Sequence, residues 1–207
     1  MTAVIQAELP FDRRQNEILI SQGFDGPYSH NRFFNRTCEF DLRYALDFAL
    51  PLGTAVRAAR QGIVQYLIKG NGHYEGSDPK EGRKSVAASA IIAHPDISGF
   101  SGMVFSHYQH LDSESFQVKV GDKVESGQPL AKTGKTGWMG EIPHLHLHFQ
   151  YRERRSGDGL FVRTAPFVLN GYEGELEDEK IIRSLAGDSR AQVQKILAIR
   201  KRDGFRL

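Results

Sequence analysis

Residues 143–149 read Pro-His-Leu-His-Leu-His-Phe. This alternation of imidazole and apolar side chains has a period of two, which an extended strand converts into two distinct faces. On such a strand His144, His146 and His148 share one side, spaced about 6.6 Å apart, while Leu145, Leu147 and Phe149 share the other. At that spacing one imidazole can hold a metal while its neighbour reaches a water on that metal, chemistry that zinc with an open coordination position supports. The plainer alternative is a solvated polar face on an edge strand.

The remainder of the chain supports a β architecture. Apolar bursts at 56–59, 62–68, 88–93, 103–108, 116–120 and 145–151 are broken by turns that draw on 21 glycines, which predicts antiparallel strands rather than alternating βα units. Residues 31–43 and 70–86 read as loops. From residue 171 the pattern changes. Acidic residues lead into Ile181, Ile182 and Leu185. Asp188 and Ser189 then offer caps for a segment that places Val193, Ile196 and Leu197 on one face and ends in basic residues, so two helices are expected. The fold class is therefore mostly β: an antiparallel sheet or sandwich over 25–170 with peripheral loops, an N-terminal segment over 1–24 and a C-terminal helical appendage over 171–207.

Composition narrows the chemistry. Lys and Arg number 27 against 25 Asp and Glu, a net charge of +2, which gives no electrostatic basis for binding nucleic acid or an anionic membrane. No apolar run approaches the roughly 20 residues of a transmembrane helix. The opening MTAVIQAELPFDRR lacks the basic and apolar regions of a signal peptide. Cys38 is the single cysteine, so a metal site would have to use imidazoles and carboxylates. Asp47, in YALDFA, has apolar residues on both sides; a buried carboxylate there must pair with a cation, such as Arg43, or bind a metal. In HYQHL, the extended register puts His110 on the face of Ser106 and Tyr108, with His107 on the other.

These segments stand in an order that resembles the lysostaphin/LytM-type zinc endopeptidases. YALDFALPLGTAVRAARQGIV is similar to the family's opening segment, HYQHL to its Tyr-x-His-Leu segment, VKVGDKVESGQPLAKTGKTG to its hairpin and Gly-x-Thr-Gly turn, and PHLHLHFQ to its His-x-His strand. The resemblance covers about residues 25–155. It implies a bound Zn2+, a peptide or peptidoglycan substrate, and a periplasmic or extracellular location in a bacterium. It also implies that Asp47 is a zinc ligand and that His110 orients water and stabilises the oxyanion. In the His-x-His pair the first residue acts on the water and the second binds zinc. Anchored on Pro143, these are His144 and His146; anchored on the HLHFQ end, they are His146 and His148.

The family's common pattern has a His four residues before the Asp. Arg43 stands there in this chain and has no lone pair to offer a metal. A branch of the family takes that ligand from an earlier Ser/Thr-His, and Tyr28-Ser29-His30 resembles it, which makes His30 the first ligand. The alternative that Arg43 raises is a catalytically inactive binding or regulatory module on the same fold. Two further rivals are a biotinyl or lipoyl carrier, which the hairpin resembles but which would need a modified-lysine turn, and a His-rich metal store with several weak sites. His73, His94 and His107 read as structural.

Overall fold

The computed structural model describes residues 3–12, 19–27, 29–30, 32–34, 39–75, 79–82, 84–140, 142–154, 160–178 and 180–181. Its framework is a ten-stranded sheet ordered Lys123–Val124, Gly62–Ile68, Ser89–His94, Val104–Gln109, His144–Arg154, Leu160–Ala165, Glu39–Asp41 and Arg32–Phe34, with Ala45–Ala49 and then Ile20–Gln22 branching from the His strand. Most ladders are antiparallel; Leu160–Ala165 with Glu39–Asp41 is parallel. The fold is thus mostly β, as expected.

His144–Arg154 lies in the sheet interior. Val104–Gln109 pairs along one side. On the other, Ala45–Ala49 pairs with its first half and Leu160–Ala165 with its second. The edge-strand alternative therefore fails, and all three imidazoles are buried. On the opposite face Leu145, Leu147 and Phe149 join Ile20, Leu46, Phe48, Tyr108, Leu130 and Phe167 in one hydrophobic cluster. Each large apolar side chain buried in this way contributes roughly 1.5–3 kcal/mol. The alternation thus explains both faces: one welds the strand to the core, and the other carries the polar groups.

Several elements depart from the sequence reading. Arg32–Phe34 and Glu39–Asp41, expected within a loop, form an antiparallel pair. The stretch as a whole has no clear period, the alternation of Glu39-Phe40-Asp41-Leu42-Arg43 being short, and its place in the sheet comes from the tertiary pairing of Glu39–Asp41 with Leu160–Ala165. Residues 116–120, expected as a strand, join no ladder. Gln117 donates to the Leu130 carbonyl, and Lys119 N–H is taken by Asp122 Oδ2 in a turn, so the ladder begins at Lys123–Val124. The 70–86 stretch contains His73–Tyr74, paired in parallel with Gly137–Trp138, and a single helical turn at Pro79–Gly82.

The N-terminal segment supplies Ile5–Ala7, parallel to Phe167–Leu169, and Ile20–Gln22. In the C-terminal stretch, Lys180 and Ile181 N–H close a helical turn on the Glu177 carbonyl. The remainder of the two expected helices lies outside the described residues.

Candidate metal centre

Asp47 stands directly across the ladder from His146, so both side chains leave the same face of the sheet. His30 approaches from a separate segment. Asp47 Oδ1 is 2.8 Å from His146 Nδ1 and 3.2 Å from His30 Nε2, and the two imidazole nitrogens are 3.3 Å apart. A tetrahedral metal with bonds of about 2.0–2.1 Å holds its donors about 3.3 Å from one another. Two imidazoles and a carboxylate with these spacings fit such an ion, and they are the one group among the described residues whose donors could hold a metal.

Each donor is held from behind. His30 Nδ1–H donates to the Gly23 carbonyl at 2.9 Å, which fixes the tautomer and leaves the Nε2 lone pair facing Asp47. Asp47 Oδ2 accepts from Gln22 Nε2 at 2.9 Å, freeing Oδ1. His146 Nε2 lies 2.9 Å from His148 Nδ1, leaving Nδ1 toward the centre. Outer contacts of this kind orient metal-binding side chains and tune their basicity.

Two more imidazoles flank the triangle. His144 Nδ1–H donates to the Ile142 carbonyl at 2.8 Å, and His144 Nε2 sits 3.9 Å from Asp47 Oδ1. His110 Nδ1–H donates to the Thr136 carbonyl at 2.8 Å. The His110 ring centroid is 4.6 Å from that of His144 and 6.3 Å from that of His146. In both flanking rings the Nδ1 proton is thus committed to a backbone carbonyl and Nε2 keeps its lone pair, which in His144 faces Asp47.

His110 corrects the face assignment read from the sequence. Tyr108 pairs with Leu147 and lies in the core, whereas His107 pairs with His148 and stacks on its ring at 4.5 Å. A straight strand would have pointed His110 into the core with Tyr108. Instead His110 adopts φ 64°, a left-handed conformation uncommon outside glycine, and this turn carries its ring to the imidazole face.

Arg43 takes no part in the centre. Its guanidinium grips Asp41 through Nε at 2.9 and 3.1 Å and a terminal nitrogen at 2.8 Å. The Arg43–Asp47 pairing considered from the sequence is absent, and Asp47 pairs with His30 and His146 instead. His94 lies on the core face, bonded to the Gln61 carbonyl and Ser106 Oγ; exposed His73 pairs with Glu75. Sequence reasoning missed Gln22. Nothing marks a lone glutamine 25 residues before an aspartate, because its role comes from the pairing of Ile20–Gln22 with the Asp47 strand.

Burial dominates the electrostatics. Desolvation pushes His146 down, although Asp47 opposes it. It also drives His148 well down and His110 and His107 to about 3. For Asp47, burial alone would raise the carboxyl, but His30, His144 and His146 outweigh it and hold the group well below the usual carboxylate range. At neutral pH Asp47 is therefore a carboxylate and His146 a neutral imidazole, the forms a divalent metal requires of them.

A sheet carrying this polar cluster across its strands defines a mostly β protein with a buried candidate metal centre. The chain belongs to peptidase family M23, whose model matches residues 42–158. That span includes Asp47, His110, His144 and His146 and leaves out His30. The glycyl-glycine endopeptidase ALE-1 of Staphylococcus capitis is 29% identical over 130 residues, covering 62% of this chain and 30% of that protein. The chain thus spans under a third of that relative. Among solved structures, a zinc-containing peptidase from Vibrio cholerae is 26% identical, over 68% of this chain and 35% of that one, at a TM-score of 0.43. The catalytic domain of lysostaphin from Staphylococcus simulans is 25% identical, over 59% and 76%, at 0.40.

Proposed function

We propose that this peptidase is a zinc-dependent endopeptidase that cleaves peptide bonds in bacterial cell-wall peptides. The observation that carries the reading is the buried triangle of His30 Nε2, Asp47 Oδ1 and His146 Nδ1. These three residues would hold the ion, which when bound supplies a Lewis acid and a water of lowered pKa. His144 Nε2, its Nδ1 proton committed to Ile142, is a proton acceptor facing the centre and serves as the general base. His110 has the same arrangement. As a neutral ring with its proton committed to Thr136, it orients water through Nε2; it stabilises an oxyanion only after taking up a proton there. His148 stands behind His146 and supports it, so in this assignment His144 is the base and His146 the ligand.

The substrate proposal rests on the family and on the likeness to the glycyl-glycine endopeptidase of S. capitis. Small residues let a peptide backbone approach a centre recessed against a sheet. Peptidoglycan as substrate places the protein at work outside the cytoplasm. We also propose 25–170 as the peptidase unit, with 1–24 laid against it and 171–207 appended. The alternative, a catalytically inactive binding or regulatory module, is raised by Arg43 at the position of the family's common His; that Arg43 is bound to Asp41 while His30 stands beside Asp47 supports the active reading.

The test incubates zinc-loaded and chelator-stripped protein with purified peptidoglycan and with an oligoglycine peptide. New amino termini that appear only with zinc support the proposal. A fully zinc-loaded protein that releases none from either substrate overturns it.

A further inference from the structure

His30 and Asp47 come from different segments of the chain, so no single strand or helix turn fixes their separation. Both converge on Gln22. This side chain is 6% exposed and makes three bonds at once. Its Nε2 donates to Asp47 Oδ2 at 2.9 Å and to Ser29 Oγ at 3.0 Å, and its Oε1 accepts the Ser29 backbone N–H at 3.2 Å. Ser29 immediately precedes His30. The next residue, Gly23, supplies the carbonyl that holds His30 Nδ1. The backbone at Gln22 is in turn registered against Asp47 in the sheet.

From this geometry we infer that Gln22 is the positioning residue of the metal centre: it clips the His30 segment to Asp47 and restricts Asp47 to one coordinating oxygen. The primary amide suits both tasks. Its two N–H groups reach the carboxylate and the hydroxyl while its oxygen takes the backbone donor, and neither an acid nor an apolar residue of that length can satisfy all three. By occupying Asp47 Oδ2, it opposes two-oxygen binding by Asp47 and so favours a low coordination number with room for a water. Gly26 packs closely on this side chain, since a Cβ there would stand 2.4 Å from Gln22 Cγ.

The inference rests on the zinc reading above, and its test separates the two. Metal binding is measured on the full chain by competition with a chromophoric chelator, and coordination by the visible absorption of the cobalt(II)-substituted protein, which is strong for four-coordinate ions and weak for higher coordination. Gln22→Met keeps length and removes every hydrogen bond. Gln22→Glu keeps shape and the acceptor for Ser29 N–H but has no donor for Asp47. The expected result is zinc affinity reduced roughly 10- to 100-fold in both, with weakened cobalt absorption as the freed Asp47 oxygen joins the ion. Should Gln22→Met fail to fold, Gln22→Glu supplies the same readings. Wild-type affinity together with an unchanged cobalt spectrum in the folded variants would overturn the role of Gln22 alone. A wild-type protein with no zinc affinity would overturn the zinc reading first.

Discussion

At the scale of single residues, the centre divides into donors, flanking imidazoles and supports, and each class predicts a different failure. Removing His30 or His146 takes away a donor. Either alanine variant should lose tightly bound zinc, read as metal content after dialysis; if His30→Ala retained one equivalent, the donor set would be wrong. Removing His144 leaves the donors and their backing bonds intact. His144→Ala should keep its zinc while kcat on oligoglycine falls roughly 10²- to 10⁴-fold, the usual range for general acid–base catalysis. Arg43→Ala should leave metal content unchanged, since Arg43 is bonded to Asp41 outside the centre; a loss of zinc there would show that it supports the site.

At the scale of elements, the decisive feature is the His strand with the turn that delivers His110. Leu147 is fully buried on the core face, so Leu147→Ala should cost about 2–5 kcal/mol of stability, measurable by urea denaturation. Gly134 makes a more local test. Its N–H bonds the His110 carbonyl at 2.7 Å, and a Cβ there would lie 2.5 Å from the Leu111 backbone. Gly134→Ala must therefore displace the segment carrying His110. Lower kcat with zinc retained is the expected result. Unchanged kcat in a folded variant would mean that the segment absorbs the methyl without moving His110.

Over the whole molecule, acid should unfold the protein through its buried imidazoles. His94 is fully buried and held at about 4 by desolvation, against about 6.5 in an unfolded chain. Between those values the unfolded state binds the extra proton, so stability is complete above about pH 6.5 and falls as pH drops toward 4. The loss from this group is about 3 kcal/mol. His94→Gln should reduce the pH slope of unfolding free energy in that window by up to one proton; an unchanged slope would place the acid sensitivity elsewhere. Removing the metal should likewise lower the melting temperature, and re-adding zinc should raise it with concentration, as for any ligand that binds only the folded state.

How much of this was legible in the chain depended on the range of the signal. The alternation of His144, His146 and His148 with Leu145, Leu147 and Phe149 is local, so the strand and its faces could be read from it, while the mostly β class was legible in the short apolar bursts broken by turns. Asp47 was legible as a carboxylate in an apolar run that needed a partner. Its partner was not legible from the flanking residues, because the nearest cation in sequence, Arg43, is taken by Asp41; only the family resemblance pointed to a metal shared with His30 and His146. His110 was legible as a residue and misread in direction, since a single left-handed φ breaks the alternation that sequence reasoning must assume.

The sequence by itself determined which chemical groups were present and which face of a strand each could occupy, because side-chain periodicity is a property of the local backbone. Only the tertiary structure decided that Asp47 would stand across from His146, that His30 would arrive beside them, and that Gln22 would join the two segments. Those proximities are set by strand register and by hydrogen bonds between distant parts of the chain, which leave no periodic trace in the residues that make them.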